Sequence, residues 1–173
     1  MIIKNKIPKD FFITSGCGES ENSIHCGSFH NALKNASIEQ VNVMTYSSIL
    51  PSIAKQVEKP LKIVHGEVMD TIMARVDGKA GKVLSAGIII GWLFDKKTND
   101  KIGGVVCECG GNYTLEKLKH KLNISLQEVY ENGFNQYKLD HISTHFTSFV
   151  PQKKYATALV AICFTSYFLP KIK

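Results

Sequence analysis

No apolar run in this 173-residue chain is long enough to cross a bilayer. The longest, "YATALVAICFTSYFLP" at 155–170, has 16 residues, where a membrane helix needs roughly 20. Its Val, Ile, Phe, Tyr and Thr point instead to a strand buried on both faces. The opening "MIIKNKIPKD" lacks the continuous apolar core of a secretory signal. A cytoplasmic location and no membrane partner are therefore expected. Blocks of basic residues are also missing. The formal net charge is +6, but the lysines are scattered, and Lys117, Lys119 and Lys121 alternate along a predicted helix and cannot share one face. They read as solvated surface, and no nucleic acid is expected as partner.

Chemical signatures are scarce too. The five cysteines, Cys17, Cys26, Cys107, Cys109 and Cys163, are odd in number and have no disulfide-framework spacing. Cys107 and Cys109 stand one residue apart, closer than zinc ligands usually lie, so reduced thiols and no metal are expected. "GCGESENS", 16–23, has neither the G-x-G-x-x-G spacing nor a Gly-Lys-Ser/Thr ending. It reads as a tight loop, not a phosphate cradle. No H-E-x-x-H and no G-x-S-x-G occurs. His141 and His145 would share one face of a strand and, like His65 and His120, read as structural. With no repeat, low-complexity tract or linker composition, residues 1–173 read as one domain.

What the chain does contain is a sequence of short periodic segments. Residues 11–15 suggest a strand, and Phe29, Ala32, Leu33 and Ala36 recur at helical spacing, so a helix is predicted from Ser23 or Gly27 to Ala36. A strand over 39–46 follows, and 49–60 reads as loop or short helix. The segments 66–76, 82–95 and 101–109 form an antiparallel meander, its first turn signalled by Asp77-Gly78. Leu115, Leu118, Leu122, Leu126 and Val129 then mark a helix from Tyr113 or Thr114, ended by Gly133 as a left-handed cap. Strands over 137–149 and 155–167 complete an α+β layered sandwich with its helices outside.

One stretch remains unexplained by structure alone. "TYSSILP", 45–51, sets Ser47 and Ser48 where a hydrophobic strand stops. Ser48 could cap a helix. It could also attack the carbonyl of Ser47. The resulting ester, after β-elimination, hydration and loss of ammonia, leaves a pyruvoyl group on the new N-terminus, a covalent cofactor made from the chain itself. Such a carbonyl condenses with a substrate amine and takes up the electrons that a departing carboxylate releases. A carboxylic acid must then return a proton, and an apolar pocket would raise its pKa for that task. Glu108, the one acid in "GGVVCECGG", has the right character.

"VNVMTYSSILP" and "IGGVVCECGG", with "SGCGESENS", "FHNALKNASIEQVNV", "HGEVMDTIMARVDG" and "ATALVAICF", resemble the pyruvoyl-dependent arginine decarboxylase family in order and spacing over residues 11–168. The resemblance implies cleavage between Ser47 and Ser48, a pyruvoyl group from Ser48, Asn42 assisting self-processing, and Glu108 as proton donor. It implies a four-layer αββα sandwich and trimers, or pairs of trimers, with sites between subunits. It implies conversion of arginine to agmatine and carbon dioxide, with Leu33 and Ser47 lining the substrate pocket. At the position of the family's guanidinium-binding aspartate stands His30. Imidazole cannot accept two parallel hydrogen bonds as a carboxylate does. Glu19 or Glu21 as substitute, a different amino acid as substrate, or a non-catalytic oligomeric relative are the alternatives this departure opens.

Overall fold

The fold is seen in a computed structural model, which describes residues 5–170. Its strands are β1 (Ile7–Pro8), β2 (Asp10–Ser20), β3 (Asn42–Thr45), β4 (Ile49–Pro51), β5 (Lys55–Gln56), β6 (Val68–Gly78), β7 (Leu84–Phe94), β8 (Lys101–Gly111), β9 (Lys138–Phe149), β10 (Tyr155–Phe164) and β11 (Tyr167–Phe168). A π-helical stretch, Ile24–Phe29, runs into α1 (His30–Asn35), and α2 spans Leu115–Gly133. One sheet has the order β3-β6-β10-β2-β5 and the other β4-β8-β7-β9, while β1 and β11 pair separately.

Alternation along the strands builds the layers. On β10, Ala156, Ala158, Val160, Ile162 and Phe164 face the second sheet, where they meet Leu84, Ala86, Ile88, Ile90 and Val106 in the central core. The residues between them, Leu159, Ala161 and Cys163, face outward and pack with Ala32, Leu33 and Ala36 of the first helical segment and with Ile38. On the far side, Leu118, Leu122 and Leu126 of α2 cover Ile89, Leu93, Val105 and Cys107. Burying each such leucine contributes about 1.5–3 kcal/mol. The result is helix, sheet, sheet, helix, the αββα order expected. The apolar strand at 155–164 is buried on both faces because it is central in its sheet.

Several local expectations are corrected. The glycine-rich 16–20 is not a loop but the second half of β2. Its glycines serve the close approach of the helix: a Cβ on Gly16 would lie 2.0 Å from the carbonyl oxygen of Ala32, and one on Gly18 2.2 Å from that of Ser28. Residues 49–60 hold the short strands β4 and β5 rather than a helix. β6 runs through Asp77 and Gly78, and the turn falls three residues later at Gly81, with φ +82°. Gly133 is still helical and Phe134, φ −136°, is the cap, so no left-handed glycine ends α2. Thr114 begins that helix as expected, its side chain accepting from Lys117 N–H. The last strand breaks at Phe164. His141, at φ +48°, carries the extra residue of a bulge against β7. The bulge breaks the face it would have shared with His145: His141 is exposed beside Phe94, and His145 keeps Nε2 buried.

Candidate active site

The serine pair sits where the chain passes from one sheet to the other. β3 is the edge of the five-stranded sheet and pairs parallel with β6; β4 is the edge of the four-stranded sheet and pairs antiparallel with β8. Residues 46–48 make the crossing. Upstream, Tyr46 N–H donates to Thr71 O (2.7 Å) and Thr71 Oγ1 to Met44 O (3.2 Å). Downstream, Val106 N–H donates to Ser48 O (2.9 Å). Between them, Ile49 N–H donates to Ser47 O at 2.9 Å, closing a three-residue turn centred on Ser48. The carbonyl of Ser47 thus already has an N–H directed at it.

The β4–β8 ladder brings Ser48 onto Glu108. Ser48 Oγ lies 2.8 and 2.9 Å from the two carboxylate oxygens and donates between them. Glu108 stands two residues beyond Val106, on the strand face that builds the inter-sheet core, opposite Ile88. That burial raises its pKa, while the Ser48 hydroxyl and its own backbone N–H oppose the rise. Cys107 and Cys109 share the other face, toward α2, and burial and the Glu108 charge push the Cys107 thiol up to about 11.

A second group gathers elsewhere. His30 and Leu33 of α1 and Asn42, Val43 and Thr45 at β3 line a cavity of about 720 Å³, together with residues the sequence patterns did not single out for a site: Phe29, Glu39, Met73 and Arg75. Asn42 does not reach the serines. Its Nδ2 donates to Gly66 O (3.0 Å) and its backbone N–H to Glu67 O (2.8 Å). Arg75 holds Asp77 through two contacts, 3.2 and 2.8 Å, and its guanidinium lies 3.8 Å from the centre of the Phe29 ring. Neither Ser47, Ser48 nor Glu108 belongs to this cavity. Glu19 is absent from it as well: its carboxylate accepts the backbone N–H groups of Gln152 and Lys153. Neither does Glu21 line it.

A third cluster was not legible in the sequence. Asp70, 3 % exposed, accepts from Lys6 Nζ and from Tyr167 OH (2.6 Å), with Tyr46 beside them. Burial alone would raise its pKa; the Lys6, Tyr167 and Tyr46 donors more than offset this and hold it below the usual carboxylate range. No periodicity links positions 6, 46, 70 and 167, which come together through the β1–β11 pair and the edge strand.

Comparison with known proteins agrees with this arrangement. The family model for pyruvoyl-dependent arginine decarboxylase matches residues 10–168. A pyruvoyl-dependent arginine decarboxylase of Thermoplasma volcanium is 35 % identical over 150 residues, covering 78 % of this chain and 80 % of the relative. That of Thermococcus kodakarensis is 26 % identical over 163 residues, covering 92 % and 97 %. Pyruvoyl-dependent arginine decarboxylase 1 of Methanosarcina mazei is 35 % identical over 91 residues, half of this chain and 54 % of its own length. With the match running from the start of β2 to the end of β11, and with an acid held against the second serine of the pair, this chain belongs to the pyruvoyl-dependent arginine decarboxylase family.

Proposed function

We propose that the chain cleaves itself between Ser47 and Ser48 and then decarboxylates arginine to agmatine. The single observation that carries this is the Ser48–Glu108 contact, made between residues 60 apart in sequence. In the uncleaved chain Ser48 Oγ is the nucleophile, oriented by its hydrogen bonds to Glu108, and its proton passes to the Ser48 nitrogen as that nitrogen leaves the carbonyl. Ile49 N–H is a donor for the oxygen of Ser47 as its carbon becomes tetrahedral. The acyl group moves from nitrogen to oxygen. Elimination then releases Ser47 as a C-terminal carboxylate and leaves dehydroalanine at residue 48; water adds to its imine tautomer and ammonia departs, giving the pyruvoyl group. Ser48 fits that role because its oxygen, on the last residue before β4, faces an acid and not the apolar core.

A pyruvoyl group supplies an electron-withdrawing carbonyl that condenses with the substrate amine. The chain's own residues do the rest. Glu108, its pKa raised by burial, retains a proton closer to neutral pH than an exposed glutamate and delivers it to the carbon that has lost carboxylate. The cavity under α1, with His30, Leu33 and Asn42, receives the side chain. Around the serine pair Met44 and Ile49 are exposed by 55 and 53 %. A collar of apolar side chains at the reacting end suits contact with further copies of the chain, as trimers or pairs of trimers. Sedimentation of the purified protein tests that assembly.

Denaturing mass spectrometry tests the processing. Cleavage yields fragments of 47 and 126 residues, the larger carrying a carbonyl that hydrazine traps. An intact chain with an unmodified Ser48 overturns the proposal. Release of carbon dioxide and agmatine from arginine tests the substrate.

A further inference from the structure

Among the charged side chains lining the cavity under α1, Glu39 alone is uncommitted. The other formally charged residue there is Arg75, and Asp77 meets its guanidinium at two points. Glu39, half-buried, forms no ion pair among the described residues. Its one side-chain contact is from the neighbouring Gln40 amide at a long 3.4 Å. The cavity therefore carries one unmatched negative charge.

Its shape and walls define what would match it. The volume, about 720 Å³, falls in the range of about 300–1,000 Å³ usual for small-molecule sites. Leu33, Val41, Val43 and Met73 supply an apolar wall for a methylene chain. Phe29 already stacks under one guanidinium plane, that of Arg75, so this wall accepts that geometry. Thr45 lines the cavity and Ser48 lies three residues further, at most about 11 Å of extended chain. That is the scale of a long basic amino acid, with its amine at residue 48 and its cationic end in the cavity.

We propose that Glu39 is the carboxylate that receives the substrate's guanidinium, with His30 accepting one further N–H beside it. This rests on the decarboxylase reading and assigns its specificity to a residue outside the helix. A carboxylate takes two guanidinium N–H groups at once; a neutral imidazole takes one. Glu39 thus does what His30 cannot. It also makes the enzyme selective against acidic and neutral amino acids of the same length.

The test separates this assignment from the processing chemistry. Fragment formation and hydrazine trapping are scored first on wild type and on Glu39→Gln, and both chains process alike. Agmatine binding is then measured by calorimetry on wild type, E39Q and E39Q/H30D, and in the uncleavable Ser48→Ala background. E39Q weakens agmatine about tenfold to hundredfold, as expected for loss of one partner of a charge-assisted pair. The loss in arginine turnover falls on KM more than on kcat. E39Q/H30D regains most of the affinity, a rescue that a merely structural effect would not give. Agmatine affinity within about twofold of wild type in E39Q overturns the assignment, and so does a processed wild-type chain that binds neither agmatine nor arginine. An unprocessed wild-type chain overturns the self-cleavage reading instead, because the agmatine comparison in the S48A background still reports on Glu39.

Discussion

The two ends of the candidate site are built differently. At the crossing between sheets, Ser48 and Glu108 are already in contact, fixed by the β4–β8 register and by backbone hydrogen bonds to Ser47, Ser48 and Tyr46. Under α1, His30, Leu33, Asn42 and Glu39 line an open cavity, and no hydrogen bond joins His30, Asn42 and Glu39 to one another. In the proposed reading the chemistry is anchored in the ladder of one sheet, while substrate selection is carried on the outer face of the other. A register cannot shift without turning every side chain to the wrong face, so the Ser48–Glu108 contact is rigid by construction. The helix face can exchange a residue such as His30 at little cost to the fold.

Breaking the rigid end should have the largest effect. Ser48→Ala removes the nucleophile: no fragments appear by mass spectrometry and no carbon dioxide is released. Glu108→Gln separates processing from turnover. The amide oxygen still accepts from Ser48, so cleavage persists, whereas turnover falls by about 10²–10⁴, the usual worth of a general acid. An E108Q chain that turns over normally would remove Glu108 from catalysis.

The open end is probed by moving its floor. Gly16→Ala puts a methyl group into the Ala32 carbonyl, forcing α1 off the sheet at a cost of about 1–3 kcal/mol, read as a lowered denaturant midpoint. The arginine KM should rise with it while fragment formation continues. Equal losses of processing and binding would show that the two ends are not independent. Asp70→Asn loosens the strand that delivers Tyr46 to the crossing and should cost about 1–3 kcal/mol. Because the Asp70 pKa is lowered in the fold, its contribution is present above about pH 4 and is lost as pH falls through the depressed value. The gap between wild type and D70N should close in acid.

The smallest effect concerns Glu108 itself. Its pKa is raised, so the uncleaved fold binds its proton more tightly than the unfolded chain does. Stability is therefore lost as pH rises above the ordinary glutamate range toward neutrality. In a non-cleaving S48A background, E108Q should flatten that part of the stability profile, measured by urea midpoints between pH 4 and 8.

The rigid end was legible in the sequence, and the open end only in part. Ser48 and Glu108 belong to short contiguous motifs, and strand alternation is enough to turn Val106 and Glu108 to the same side. His30 and Leu33 could be placed on a helix, and Asn42 on the next strand. Glu39 and Arg75 could not, because they enter the cavity from a turn and from a neighbouring strand, and tertiary approach alone joins them. The same limit hid the role of Gly16 and Gly18. Glycines in "GCGES" suit a loop equally well as a strand under a helix, and only the distance to Ala32 and Ser28 distinguishes them. Asp70, Lys6, Tyr46 and Tyr167 have no pattern to betray them.

The crossing at Ser47–Ser48 has a consequence for the life of the molecule. Scission there would leave β2 wedged between β10 and β5, with β3 still laddered to β6, so two polypeptides would be woven through one sheet. Neither could slip away without dismantling the other. Once melted, however, the pieces would have to find each other by diffusion, and refolding would become a second-order event that dilution defeats. The precursor can fold alone; the product would keep its shape only because it inherited it.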